Sequence, residues 1–322
     1  MTLALQELSI ESYSERVLPL TEPLWARGRT LKEYVAHTAQ LAQTAYGRKH
    51  YRTFALADGG AAPLASFKRY ERQARSGLEQ LRAIGIGAVF TPEEHRGHGY
   101  ASAMLGLALD EARREGFDFA YLFSDIHPQF YKDLGFIELP SRSISLRADA
   151  LQDGRVAMDA VSERDFTAIR KCFDAMESRR DWGLTRSPIV WDWIRAQLQI
   201  SAQREKGQPV HLVMRKGRTI VGYVFGRRES LHDAYVLDEF GFANEEAREA
   251  IPGLLRAAAG DLRRIVGWLP PIGARGILPR GSVRRRNDAI WMIAPLTAGG
   301  ARFLERAKRS RFADGMWSLD HV

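Results

Sequence analysis

Cysteine is almost absent. Cys172 is the single one in 322 residues, which excludes an internal disulfide framework and a cysteine cage for a metal. Long apolar runs are missing too, and no stretch approaches the roughly 20 residues needed to span a bilayer. Residues 1–12 carry Glu7 and Glu11 and have neither a basic start nor a continuous apolar core. They do not read as a signal peptide, and the expected location is the cytoplasm, with no membrane partner. Acidic charge is in deficit, with 39 Asp and Glu against 47 Lys and Arg, a net charge of +8. The deficit belongs to one half. Residues 1–150 hold 18 residues of each sign, so residues 151–322 are left with 29 basic and 21 acidic ones. Arg275, Arg280, Arg284, Arg285 and Arg286 form one cluster, and Arg302, Arg306, Lys308, Arg309 and Arg311 another. Such clusters attract anionic partners. Aromatic residues do not interleave with them as base stacking needs, so a solvated or intersubunit face is expected rather than a nucleic-acid site, and a homo-oligomer is compatible with it.

What is present is ordinary for a globular chain: 45% hydrophobic and 27% charged residues. The length suits two domains. After a short extended start, Thr21-Glu22-Pro23 reads as a helix entry, and the helical pattern runs to about Tyr46 with an interruption near Gly28. Strands are predicted at Tyr51–Leu56, Leu64–Tyr70 and Leu78–Phe90, with the Asp58-Gly59-Gly60 turn between the first two. Tyr100–Glu115 places Met104, Leu105, Ala108, Leu109 and Ala112 on one stripe of a helix closed by Gly116. A strand at Phe117–Phe123, a short helix at Pro128–Leu134 stopped by Gly135, and a strand containing Ile144–Leu146 follow.

The second half repeats this order more faintly. Helices are predicted at Asp165–Glu177 and Pro188–Gln203, strands at His211–Met214, Thr219–Phe225 and Ala234–Phe240, and a long helix at Glu245–Arg264. Strands at Ile265–Leu269 and Ile290–Ile293 complete it. The joint falls near Ala148–Arg155, where Gln152-Asp153-Gly154 is turn-like.

The most informative segment is Phe90-Thr91-Pro92-Glu93-Glu94-His95-Arg96-Gly97-His98-Gly99-Tyr100-Ala101. A strand that ends in a glycine-rich turn opening a helix is an anion site, because the first helical N–H groups are unpaired and the helix dipole favours negative charge there. Gly97 and Gly99 allow positive φ, and Arg96 adds a fixed charge. The Gly-Lys-Ser/Thr ending of an ATP loop and the three-glycine dinucleotide spacing are both missing. What remains, Arg-x-x-Gly-x-Ala, resembles the acetyl-CoA pyrophosphate loop of the GNAT superfamily of N-acetyltransferases. Phe130-Tyr131-Lys132-Asp133-Leu134-Gly135-Phe136 resembles the end of that family's core, where a tyrosine hydroxyl stands near the coenzyme sulfur.

The resemblance implies an α/β (α+β) fold class: two tandem GNAT folds, each a mixed, mostly antiparallel sheet flanked by helices. Residues 1–150 would be the catalytic domain, 151–297 a degenerate GNAT-like domain, and 298–322 a C-terminal tail. The repeat reads Phe240-Gly241-Phe242-Ala243-Asn244-Glu245-Glu246 where its phosphate loop should be, and two carboxylates would face an incoming pyrophosphate. Only the first domain is therefore expected to bind acetyl-CoA. Ala88, Val89 and Phe90 would bond the pantetheine arm through their backbone, and Arg96, Gly97, His98, Gly99, Tyr100 and Ala101 would cradle the pyrophosphate. Ser124 stands where many relatives place an Asn that touches the coenzyme. Tyr131 is the expected general acid to the leaving thiolate. No metal is expected. A primary amine of a small molecule would attack directly.

A general base is less evident; Asp125, His127, Glu93, Glu94, His95 and His98 are near the site in sequence. The tandem arrangement, Gly183-Leu-x-Arg-Ser-Pro-x-x-Trp191, Val221-Gly222-Tyr223 and Trp291-Met292 resemble acetyltransferases of the enhanced-intracellular-survival type. Those add a sterol-carrier-like domain, for which this chain has no room, and use the terminal carboxylate as base. By that resemblance Val322, or Asp320 beside it, could serve if Trp317 docks the tail. Two alternatives stay open: a protein that binds acyl-CoA or another ligand without turnover, and a nucleic-acid-associated acetyltransferase. The net positive charge of the second half does not suit a polycationic acceptor.

Overall fold

The computed structural model describes residues 3–59, 62–126, 128–152, 154, 157–202, 207–310 and 315–322. Gly60, His127, Asp153, Arg155, Gln203 and Arg311 lie outside the described residues. The first half contains β1 (Ala4–Leu8), α1 (Ile10–Arg16), α2 (Leu18–Trp25), α3 (Leu31–Ala42), α4 (Ala45–His50), β2 (Tyr51–Ala57), β3 (Ala65–Ser76), β4 (Glu79–Phe90), α5 (Tyr100–Arg114), β5 (Phe119–Ser124), α6 (Pro128–Lys132), β6 (Ile137–Glu138) and β7 (Arg142–Arg147). Short 3-10 turns link several of them. The second half contains β8 (Ala157–Ala160), α7 (Phe166–Glu177), β9 (Trp182–Thr185), α8 (Pro188–Ala202), β10 (Gln208–Pro209), β11 (Leu212–Lys216), β12 (Thr219–Glu229), β13 (Ala234–Phe242), α9 (Glu245–Ala259), β14 (Arg264–Trp268), β15 (Val283–Arg285), β16 (Ile290–Pro295) and α10 (Ala298–Arg309).

The N-terminal helices begin earlier than the Thr21 signal. Ser9 caps α1 by accepting from the Ser12 N–H, and Pro19 starts α2. Thr21 lies inside α2, buried, with its hydroxyl turned back on the Val17 and Leu18 carbonyls. The interruption near Gly28 is present: Arg27 and Gly28 take φ of 51° and 81°, and a Thr30–Glu33 capping box then starts α3.

Two mixed sheets form the frame. The first has the order β1-β2-β3-β4-β5-β16-β6, with β9 also paired to β3, and it is antiparallel except between β4 and β5. The second has the order β15-β7-β14-β13-β12-β11-β8, with β10 on β12, and only β13 and β14 run parallel. These orders correct two expectations. The Ile144–Leu146 strand does not close the first sheet but pairs β7 with β14 in the second, Leu146 opposite Ile265. The Ile290–Ile293 strand does not complete the second sheet but lies between β5 and β6 in the first. Apolar periodicity specifies a strand without specifying its partner. Burial makes the choice: Met292 joins the core of Ile84, Met104 and Leu122, and Ile144 joins that of Tyr235, Ile251 and Ile265. A cut at residue 150 thus divides the chain but not the sheets.

Residues 298–322 are likewise more than a tail. α10, capped by Thr297, stacks Phe303 on Phe119 with ring centres 4.4 Å apart and edges it against Trp182. Its basic residues are mostly paired, Arg302 with Glu79, Arg306 with Asp181 and Lys308 with Glu305. Arg286, from the other cluster, is buried with its guanidinium 3.7 Å from the Trp268 ring centre. Trp182, Trp191 and Trp193 are buried as expected of core residues. No helix among the described residues is long and apolar enough to cross a membrane.

Candidate active site

The site starts from a fault in β4. Lys68 of β3 faces Gly87 and Ser66 faces Phe90, so Ala88 and Val89 together stand opposite Phe67. Ala88 takes a left-handed φ of 50°. Such a bulge bends a strand and re-aims it. The parallel pairing with β5 accordingly covers only Ala83–Gly85 against Phe119–Tyr121 and is not continued to Phe90. Past Gly85 the two strands part, leaving the β5-facing edge of Ile86–Phe90 without a strand partner among the described residues.

The fork leads into the glycine loop. Gly97 and Gly99 both have φ of 78°, and a Cβ at either would have nothing within 4 Å. Gly99 is the N-cap of α5 and offers no side chain to its N–H groups, and the first turn holds no acid. The helix is held from behind by Met104, Leu105, Ala108, Leu109 and Ala112, all buried on the predicted stripe. The Arg96 Nε donates to the Thr91 carbonyl at 3.3 Å, and His98 stacks on Tyr100 with ring centres 5.7 Å apart. His95 meets the same Tyr100 edge-on. An uncapped helix start, open backbone and a nearby guanidinium fit a pyrophosphate.

Tyr131 of α6 is 6% exposed, set edge-on between Phe130 and Phe136. Burial, reinforced by the Asp125 carboxylate, pushes its pKa up to about 12, so the phenol keeps its proton at neutral pH. Ser124 is buried, and its hydroxyl donates to the Ile126 carbonyl at 2.8 Å. Among the base candidates, Asp125 accepts from the Ala289 N–H at 2.9 Å. Glu93 and Glu94 are exposed on the 3-10 turn after β4.

The chain end reaches this fork. A Cβ at Gly87 would stand 2.5 Å from the Val322 carboxyl carbon, and one at Gly85 would stand 2.7 Å from a Val322 methyl carbon. Glycine at both positions lets the last residue lie on β4. Trp317 is buried edge-on against Phe240, and His321 stacks on Phe123 with ring centres 4.9 Å apart. Asp320 is not free to act as a base. It accepts from Arg72 at 2.7 Å and from Arg186 at 2.8 and 3.1 Å. Arg186 also forks onto Glu239 at 2.6 and 3.0 Å, and Glu239 accepts from the Tyr223 hydroxyl at 2.6 Å. Burial opposes the Asp320 charge, but Arg186 and Arg72 outweigh it and hold the pKa at about 2. A cavity of about 500 Å³ beside the tail is lined by Arg27, Asp125, Trp268, Ala289, Leu319 and His321 among others.

Sequence reasoning missed Lys68, the tail's partners Arg72, Arg186 and Glu239, and the Gly85 and Gly87 floor. The alternate glycines in a strand were the readable signal, since glycine inside a strand often marks close approach of another backbone.

A strand that forks from its parallel neighbour at a bulge and feeds an uncapped glycine-opened helix has the arrangement that the loop motif led us to expect. Residues 34–138 match the family model described as the acetyltransferase (GNAT) domain. The fold of nearly the whole chain is shared by a GCN5-related N-acetyltransferase from Anabaena variabilis, at 15% identity and a TM-score of 0.73 over 93% of this chain and 74% of that one. Eis1 from Mycobacterium abscessus matches at 14% identity and 0.60 over 92% and 74%. A tandem GNAT protein from the clavulanic acid biosynthesis pathway matches at 9% and 0.53 over 92% and 99%. No curated protein matches the sequence. Residues 34–138 thus carry a GNAT acetyltransferase domain, and the chain as a whole shares the fold of tandem GNAT proteins.

Proposed function

We propose that the protein moves an acetyl group from acetyl-CoA to a primary amine of a small molecule, with one coenzyme site, in the first half. The observation that carries this is the continuity of the fork at Ala88, the uncapped start of α5 and the buried Tyr131 phenol. The open backbone of Ala88–Phe90 would hold the pantetheine arm, and its N–H groups would polarise the thioester carbonyl. Arg96 and the N–H groups from Gly97 to Ala101 would hold the pyrophosphate. The amine nitrogen bonds to the acetyl carbon, the carbon–sulfur bond breaks, and the Tyr131 hydroxyl gives its proton to the leaving sulfur. The Val322 carboxylate, lying over Gly87, would take the proton that the ammonium must lose, a role that the buried ion pairs of Asp320 deny to that residue.

The test is thermal stabilisation by acetyl-CoA, followed by thiol release across amine classes. Adding one glycine after Val322 moves the carboxylate off Gly87 and should slow turnover on the order of 100-fold, the scale of a lost base. Stabilisation by acetyl-CoA without thiol release for any amine class would instead make the protein a binder.

A further inference from the structure

The face of the first sheet turned away from α5 carries cations that acetyl transfer leaves unused. Lys68 stands directly across from Gly87, so it shares the face on which the chain end lies. Its side chain is half-buried, with the ammonium 5.6 Å from the ring centre of Tyr13 and 5.9 Å from that of Tyr51. Beside these rings, no acceptor atom at hydrogen-bond distance and no carboxylate within 4 Å of the ammonium is found among the described residues. Burial alone pushes its pKa down to about 8. Close by on α3, His37 is pushed down to about 4 by burial and then by Arg29, Lys68 and Arg27. The Tyr13 and Ser66 hydroxyls on this side of the sheet are fully buried and have only each other nearby. Tyr51, Tyr70 and Trp193 form an aromatic wall, their ring centres 5.2 to 6.2 Å apart.

A half-buried ammonium with no carboxylate at ion-pair distance is costly unless a ligand brings one. A polycationic acceptor would add like charge to Lys68, Arg27 and Arg29. A single ammonium between two rings suits a monoanion, whereas a phosphate dianion calls on guanidinium forks or several N–H groups.

We propose that the acceptor is an amine that also bears a carboxylate on an apolar or aromatic body, its carboxylate held by Lys68 and its amine turned to Gly87 and Val322. This rests on the acetyl-transfer reading of the same site. L-phenylalanine, L-phenylalaninamide and phenethylamine present one body with and without the acid. Thiol release should favour the acid by roughly 10-fold or more, the scale of one charged hydrogen bond. Lys68→Met should collapse that preference toward parity, and Lys68→Arg should retain it. With coenzyme A saturating, N-acetyl-L-phenylalanine should bind at least about 10-fold tighter than N-phenethylacetamide on the same grounds, read from tryptophan fluorescence. Parity between acid and amide, an unchanged preference in Lys68→Met, or no binding of the N-acetyl acid overturns the proposal. Acetyl-CoA stabilisation in the same samples tells the failures apart. If it is present without an acid preference, only the substrate class falls; if it is absent, the transfer reading falls and takes this one with it.

Discussion

The two halves present the same junction and finish it differently. α5 and α9 are both 15-residue helices that follow a central strand. At the start of α5 the cap is a left-handed glycine, and the first turn holds no acid. At the start of α9 the Asn244 side chain accepts from the Ala247 N–H at 2.9 Å, and Glu245 and Glu246 occupy the first turn. Glu245 pairs with Arg179, and Glu246 with Lys216. Even the fork is repeated. β13 and β14 pair from Ala234 to Leu237 and then part, but there Ser318 donates to the Asp238 carbonyl at 2.9 Å and Trp317 covers Phe240. A GNAT fold can therefore keep its fork while the chain itself satisfies the groups that a coenzyme would bind.

Five variants can break or sharpen this contrast. The largest effect is expected where the halves are tied together. Asp320→Ala leaves Arg72 and Arg186 short of a buried partner and should cost about 3–5 kcal/mol in denaturant unfolding. The same pair sets an acid transition. Asp320 sits at about 2 when folded against an ordinary value of 3.8, so its stabilisation is complete above about pH 4 and is lost as the pH falls through 2. The variant should lack that transition. Next comes Tyr131→Phe, expected to lower kcat on the order of 100-fold with acetyl-CoA affinity changed less than about twofold. Equal loss of both would remove its role as acid.

Arg96→Glu should weaken acetyl-CoA roughly 10-fold by calorimetry, as reversal of a phosphate contact implies. The matching Glu246→Lys should leave the stoichiometry at one, and two equivalents bound to the unaltered protein would erase the contrast between the halves. The smallest effect is Asn244→Ala, which removes a cap worth about 1 kcal/mol. It should lower Tm by a few degrees and leave turnover unchanged.

The part of the site that was legible in the sequence is the part that is local. Gly97, Gly99 and the stripe from Met104 to Ala112 announce a helix start with open N–H groups, because turn chemistry and helical period are properties of neighbouring residues. The closed counterpart at Asn244-Glu245-Glu246 was legible for the same reason. The partners of β7 and β16 were not, since Ile144–Leu146 and Ile290–Ile293 are interchangeable as short apolar strands until three-dimensional packing chooses between them. The resting place of Val322 depends on Arg72, Arg186 and Asp320 meeting across long separations in sequence, which no local pattern encodes. Lys68 looked like one more charged residue in a strand, and the register with Gly87 is what gives it meaning.

The exchange of β7 and β16 also bears on how the chain comes off the ribosome. β5 is made before the second half, yet its neighbour on one side, β16, is made only after most of that half. Until then the first sheet carries an open edge through its middle, formed by the apolar strand Phe119–Ser124, of the kind that invites pairing with another chain. Closing it means bringing together segments separated by most of the second half, which slows folding and prolongs exposure. The nascent protein is thus vulnerable to aggregation for the time needed to synthesise the second half, and slower elongation there, or loss of a chaperone that covers strand edges, should reduce its soluble yield more than its finished stability would suggest.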